Sequence, residues 1–550
     1  MPPVKSAASG TRWCRWLSPQ HYSQFPTAFR LIVAAISGAA LGLSFIGFYI
    51  SLVSWVCLGL LLIVLFGGKP RVAALCGFLH GVAFVFTTLT WIAQVIQIHG
   101  GVGPAAAWAV FILLAMAWGV LTGSFAWCVN VISRRSIVSA CCAAPFLWVT
   151  MEFIRNHLPE IGFPWNLLGY PAAANLALVQ LTTITGIYGL SFLAAAFNAL
   201  LAWMVAAGTP ATGRRALILF GCACFLLMTI FFGPKWVPPA SASHYARLVQ
   251  LNFPEEPSYP PDWFEIHKAE MEEIEQISLA RGAESPDLIV WPEVPAPFSF
   301  QDSRFAAPAE ELARKDGNPF LAGVVEWKPI LDSSGRVGRT GPVPYNGAVL
   351  LDGHGKRVFS YDKVHLVPFG EYEPFPLIHR VVTSLSEEVG GFRRGSSYSV
   401  GRLPNGHRFG VFICYEAIFP NEVRRFTAGG AELLVNISND GWFGRSAAPD
   451  QHLRMARVRA VENRRWLLRA TNNGYTVAVD PYGRIVAQLP TDVRAALDAP
   501  YDFRTDRTLY VRWGDWFAWL SVLASISFLA QALVRRGPKS AIMGKQRKRT

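Results

Sequence analysis

The chain has 550 residues, 52% of them hydrophobic and 16% charged, with a formal net charge of +13. A mean hydropathy of +0.29 is too apolar for an ordinary soluble enzyme. The basic excess does not point to nucleic acid, because much of it lies in short loops and in a tail (Arg535, Arg536, Lys539, Lys545, Arg547, Lys548, Arg549) beside an apolar run.

Through residue 238 the only acidic residues are Glu152 and Glu160, set among long runs rich in Leu, Ala, Val, Phe and Trp. A membrane-crossing helix needs roughly 20 apolar residues. Spans are therefore expected at 31–49, 50–67, 72–94, 104–132, 138–154, 177–206 and 216–233, with an eighth at 514–534. The first follows a long polar leader and is at once followed by another apolar run, so it reads as an uncleaved helix rather than a signal peptide. The helices are almost free of charge, which argues against a channel or transporter with an external binding domain.

Basic residues then orient the chain. Arg12 and Arg15, Lys69 and Arg71, Arg134 and Arg135, and Arg214 and Arg215 fall on one side if every span crosses, and the basic tail joins them after an eighth crossing. The implied organisation is a cytoplasmic tail at 1–30, a seven-helix membrane bundle at 31–238, a domain outside the cytoplasm at 239–512 (periplasmic in a two-membraned bacterium), a C-terminal membrane helix at 513–535 and a basic cytoplasmic tail at 536–550.

The polar domain opens with a strand at Ala246–Asn252 and a helix at Asp262–Ala280. A short apolar run, Asp287 to Trp291, stops at Pro292 with Glu293 just beyond it. Strands follow at Phe320–Glu326, Asn346–Leu351, Phe409–Cys414 and Leu433–Ile437, then a helix at Pro449–Asn463 and a hairpin from Tyr475 to Gln488. Strands alternating with helices argue for an α/β layered domain.

Cys414 is the only cysteine of that domain; the other eight lie in the N-terminal tail or in apolar runs. A lone thiol at a strand end suits a nucleophile, but it also suits a small core residue, and the local residues leave both open. Glu293, Lys363 and Cys414 together supply a base, a fixed cation and a soft nucleophile, a set suited to acyl transfer.

In chain order stand Trp291-Pro292-Glu293, the run Lys363 to Tyr372, Cys414-Tyr415-Glu416, the run Asn436 to Phe443, and Thr471-Asn472-Asn473-Gly474. These residues resemble the nitrilase (carbon–nitrogen hydrolase) superfamily over about 246–490. With the flanking spans and Phe163-Pro164-Trp165-Asn166-Leu167-Leu168-Gly169-Tyr170 in the outer loop between spans five and six, the whole is similar to the apolipoprotein N-acyltransferase family. The resemblance implies a multi-pass α-helical membrane domain of about eight helices, joined to an extracytoplasmic αββα sandwich in a bacterial inner membrane. It implies transfer of an acyl chain from a phospholipid, typically the sn-1 chain of phosphatidylethanolamine, to the α-amino group of the diacylglyceryl-cysteine of an apolipoprotein. By the same resemblance Glu293 is the general base, Lys363 the oxyanion stabiliser and Cys414 the nucleophile that becomes a thioester. Glu371 supports the triad, while Asn346, Tyr415, Glu416 and Trp442 line or gate the pocket, and Trp263 aligns loosely with a tryptophan on a mobile arm.

Lys363 is expected to favour the thiolate, and an apolar pocket to keep water from the thioester. The apolar side chains of Pro374–Leu385 and of the Phe163–Tyr170 loop are expected to form an entrance from the bilayer. No cofactor or metal is expected: there is no His-Glu-x-x-His, no Gly-x-Ser-x-Gly elbow and no Walker-type loop. A membrane-tethered amidase would need the same triad, but neither eight spans nor an apolar entrance.

Overall fold

The protein is described from a computed structural model covering residues 25–46, 49–99, 102–206, 212–256, 259–280, 282, 284–294, 296–329, 341–372 and 391–534. The first 24 residues, the Pro374–Leu385 segment and the basic tail lie outside the described residues.

The membrane part contains α1 (Thr27–Leu43), α2 (Cys57–Leu65), α3 (Pro70–Thr88), α4 (Trp91–His99), α5 (Pro104–Ser133), α6 (Ile137–Asn156), α7 (Ile187–Ala206) and α8 (Thr212–Phe232). Among the described residues six helices are long and apolar enough to cross a membrane, including the C-terminal helix at Trp516–Val534, and two shorter apolar helices accompany them. The spans differ from expectation at three places. The second begins as a 3-10 turn over Tyr49–Trp55, the third stops at Thr88 and is followed by the separate α4, and the sixth begins only at Ile187 after short turns. Composition alone cannot place these breaks, because Leu89 and Trp91 are as apolar as the helix before them.

Small residues set the packing. A Cβ on Gly77 would run into the Thr122 carbonyl, and one on Gly81 into the Thr122 hydroxyl, so α3 and α5 approach backbone to backbone. The helices are not free of charge where they pack: Arg30, Glu152 and Arg155 are all buried. Glu152 accepts from the Trp148 indole at 2.9 Å and from the Leu168 N–H at 2.7 Å, and the Arg155 guanidinium lies 3.9 Å from the centre of the Trp118 ring. The outward faces are apolar, α8 most of all, with Leu217, Phe220, Phe225 and Phe231 exposed.

The polar domain holds two six-stranded sheets. One has the order β12-β1-β2-β3-β4-β5, from β1 (His244–Gln250), β2 (Leu288–Val290), β3 (Phe320–Lys328), β4 (Val343–Leu351), β5 (Arg357–Asp362) and β12 (Ala495–Tyr501). The other is β11-β10-β9-β8-β7-β6, from β6 (Val400–Arg402), β7 (Arg408–Ile413), β8 (Leu433–Ser438), β9 (Leu467–Thr471), β10 (Val477–Val479) and β11 (Ile485–Gln488). In the first sheet Leu248, Val290, Leu321 and Leu350 face a core shared with Val411, Ile413, Val435 and Leu468 of the second. Their alternates Val249, Ile289, Phe320 and Val349 face the helices α9 (Lys268–Leu279) and α10 (Ser303–Asp316). With α11 (Pro420–Ala428) and α12 (Ala448–Asn463) on the other side, the layers run αββα. The long helix expected at Asp262–Ala280 is two pieces, Trp263–Ile266 and α9, and Trp263 is buried against Phe253 and Phe298.

The membrane helices and the sandwich interlock through α12. Gln451 accepts from the Trp165 indole at 2.7 Å, Arg459 donates to the Tyr170 hydroxyl at 3.2 Å, and Glu462 accepts from the Ile187 N–H at 2.9 Å. Trp165, Leu167, Leu168 and Tyr170 are therefore buried, so most of the outer loop is a dock rather than the open entrance expected of it. Only Phe163 remains half-buried, its ring stacked on Tyr415 at 6.4 Å between centroids.

Candidate active site

Glu293, Lys363 and Cys414 come from three strands that end on one rim of the sandwich. β2 is parallel to β1 and β3, and β7 is parallel to β8, so their carboxyl ends open on the same edge of each sheet. Gly323 makes room for the turn after β2, because a Cβ there would meet the backbone of Pro292 and Glu293. Lys363 follows β5 directly, and its N–H is held by the Asn346 carbonyl at 2.8 Å.

The Lys363 ammonium donates to Glu293 Oε1 at 3.0 Å and to Glu371 Oε1 at 2.9 Å. Asn346 bridges the same two oxygens through Nδ2, at 2.8 and 2.7 Å. The second oxygen of Glu293 accepts from the Asn439 N–H at 2.9 Å, and that of Glu371 from the Val367 N–H at 2.7 Å. Burial works against the ammonium, but Glu293, Glu371 and Cys414 outweigh it and hold the Lys363 pKa well above the usual range. The cation is permanent and locked in place.

Cys414 is the first residue past β7 and takes a φ of +46°, a conformation costly for any side chain but glycine. Only 7% of it is exposed. Burial and the Glu293 carboxylate push the thiol pKa well up, and Lys363 and a hydrogen bond from Ser438 pull against them without prevailing. Lys363 does favour the thiolate, as expected, but desolvation is the larger effect and the net shift is upward.

The supporting residues divide. Asn346 and Glu371 belong to the ammonium cage. Tyr415 sits between Phe163 and Phe419, with ring centroids 6.4 and 5.2 Å away. Trp442 is 4.3 Å from the His99 ring at the end of α4, so it links the sandwich to a membrane-side helix. Glu416 acts as an internal tie. It is buried and accepts from the N–H groups of Ile413, Val364 and His365 and from the Tyr361 hydroxyl, tying the end of β7 to the segment after β5. Burial raises its pKa to about 7 in spite of those donors.

Sequence reasoning did not assign roles to Asn439, Asp440, His452 or Arg469. Asp440 joins Arg469 at 2.8 Å and His452 at 3.0 Å, all three buried beside Cys414. Asn439 and Asp440 stood in a quoted motif, but His452 and Arg469 lie in a helix and a strand where nothing local separates a site residue from a core polar one. Among the described residues no cluster of His, Cys, Asp and Glu has the arrangement of a metal site.

Residues 246–504 match the family model for carbon-nitrogen hydrolase, and residues 37–200 match that for the apolipoprotein N-acyltransferase N-terminal domain. The apolipoprotein N-acyltransferase of Geobacter metallireducens is 35% identical over 513 residues, covering 92% of this chain and 95% of the relative. The chain belongs to the apolipoprotein N-acyltransferase family. The apolipoprotein N-acyltransferase of Methylococcus capsulatus, 31% identical, covers 93% of this chain and 97% of its own. Apolipoprotein N-acyltransferase relatives thus match both the membrane helices and the sandwich, and the chain is a membrane-embedded enzyme of this acyltransferase family.

Proposed function

We propose that this protein N-acylates lipoproteins, moving an acyl chain from a phospholipid through a Cys414 thioester to the α-amino group of a diacylglyceryl-cysteine. The observation that carries the reading is the ammonium of Lys363, fixed between Glu293 and Glu371 beside a buried cysteine at a strand end.

The chemistry follows from those positions. Glu293 takes the Cys414 proton, and the sulfur attacks the ester carbonyl carbon of the donor. The oxyanion that forms lies next to a cation that cannot deprotonate or reorient, so no reorganisation is needed at that moment. As the tetrahedral species collapses, the carbon–oxygen bond breaks and Glu293 returns the proton to the departing lysophospholipid alkoxide. In the second half the acceptor amine attacks the thioester carbonyl and gives its proton to Glu293. The carbon–sulfur bond then breaks, leaving an amide, and the thiol is restored.

Both substrates are membrane-held, in keeping with a sandwich docked on lipid-facing helices. On the positive-inside reading the site lies on the periplasmic side of the inner membrane. Phosphatidylethanolamine, sn-1 in particular, is the donor to test first.

The experiment is intact-mass analysis of the purified protein incubated with phosphatidylethanolamine, with Cys414→Ala as control. A hydroxylamine-labile acyl adduct that requires Cys414 and is discharged by a diacylated lipopeptide is the expected result. Acyl transfer surviving in Cys414→Ala would overturn the thioester route.

A further inference from the structure

Cys414 occupies an unfavourable backbone conformation, and something must hold it there. The imidazole of His452, on α12, does so from behind: Nε2 lies 3.0 Å from the Cys414 carbonyl oxygen. A carbonyl oxygen only accepts, so Nε2 carries the proton and donates. The ring itself cannot turn. Nδ1 faces Asp440 Oδ1 at 3.0 Å and Arg469 Nη2 at 3.2 Å. Its flanks are packed by Trp165 at 5.7 Å and Phe443 at 5.8 Å between ring centroids.

The peptide between Cys414 and Tyr415 is planar, so fixing its carbonyl fixes the Tyr415 N–H, which points the opposite way. Tyr415 is the second residue of the 3-10 turn Cys414–Ile418, where an N–H has no partner within the helix. That donor is adjacent in sequence to the nucleophile. An oxyanion formed on attack by Cys414 would then meet two donors, the Lys363 ammonium and this N–H.

We propose that His452 is a positioning residue for acyl transfer. By donating to the Cys414 carbonyl, it sets the peptide plane that aims the Tyr415 N–H at the reacting carbonyl. Because Trp165 of the membrane-side loop packs on the ring and bonds the neighbouring Gln451, the docked loop backs this alignment. The inference rests on the thioester reading above.

The test uses the full chain, wild type beside His452→Ala and His452→Gln, since a glutamine amide can donate to the same carbonyl. Single-turnover thioester formation from phosphatidylethanolamine is followed by intact mass, with donor KM, alkylation of Cys414 by iodoacetamide and thermal unfolding recorded for each. The expected result is thioester formation slowed about 100-fold in His452→Ala, the scale of a lost oxyanion donor, with KM and alkylation unchanged and most of the rate recovered in His452→Gln. A merely structural histidine would instead move alkylation and thermal stability, and glutamine would not restore the rate. If His452→Ala does not fold, His452→Gln decides alone: a folded glutamine variant as slow as the lost-donor scale overturns the proposal. An adduct that forms equally fast in His452→Ala and wild type also overturns it, while leaving the thioester reading intact. No adduct in the wild type overturns both.

Discussion

At Cys414 two neighbours of opposite charge act in opposite directions on one thiol. Glu293 raises its pKa, Lys363 lowers it, and burial adds to the first. This separates ionisation from catalysis. In Lys363→Met the thiol pKa rises further, so alkylation by iodoacetamide at a fixed pH slows and its pH profile moves upward. In Glu293→Gln the thiol pKa falls, so alkylation quickens at the same pH although acyl transfer is lost. Rates of Cys414 modification against pH, read beside turnover, check both signs; parallel loss in the two variants would contradict this account. The three candidate residues were singled out by the motifs that carry the family resemblance, whereas the local pattern alone left Cys414 open between nucleophile and core residue. The cage was less legible. The Asn439 N–H bonds Glu293 across 146 residues, and Glu416, beside the nucleophile in sequence, turns out to be an internal tie.

Elements were legible where their pattern was strong and hidden where a neighbour supplied the stability. β7 and β8 are continuous apolar runs and were read directly. β12 contains Pro500 and Ala-rich sequence, and it exists because it pairs antiparallel with β1 along the sheet edge, where proline is tolerated. Helix α10 carries Pro308 within it and was missed for that reason. In the membrane part the approach of α3 to α5 is decided by Gly77 and Gly81. Gly77→Val should push the helices apart and lower the thermal unfolding temperature in detergent, because the added side chain meets the Thr122 backbone. Helix α12 carries the dock. Arg459 and Glu462 are fully buried 3.0 Å apart, and Glu462 also holds the start of α7 through Ile187. Glu462→Ala takes the carboxylate from a buried guanidinium that keeps only its Tyr170 contact, and the acceptor from a buried N–H, at a cost of about 3–5 kcal/mol. Thermal unfolding monitored by tryptophan fluorescence measures it.

On the scale of the whole molecule, Trp236 and Trp513 are both exposed where a membrane helix meets the sandwich, after α8 and before the C-terminal helix. Exposed amphipathic rings at the two chain crossings suit a water–lipid boundary on the sandwich side. The orientation expected from charge can be measured. A cysteine placed at the exposed Asn405 should react with a membrane-impermeant maleimide in intact spheroplasts, and one placed at Arg135 should react only after lysis. The reverse pattern would invert the topology. The sequence alone determined the division into membrane and layered parts, because apolar run length and charge are properties of short segments. It also singled out the candidate residues for the chemistry, through motifs a few residues long. Only the tertiary structure decided the upward shift of the Cys414 pKa, the tie made by Glu416, the closing of the outer loop into a dock and the contact from His452. Each depends on burial and on hydrogen bonds between residues far apart in the chain, which no local pattern contains.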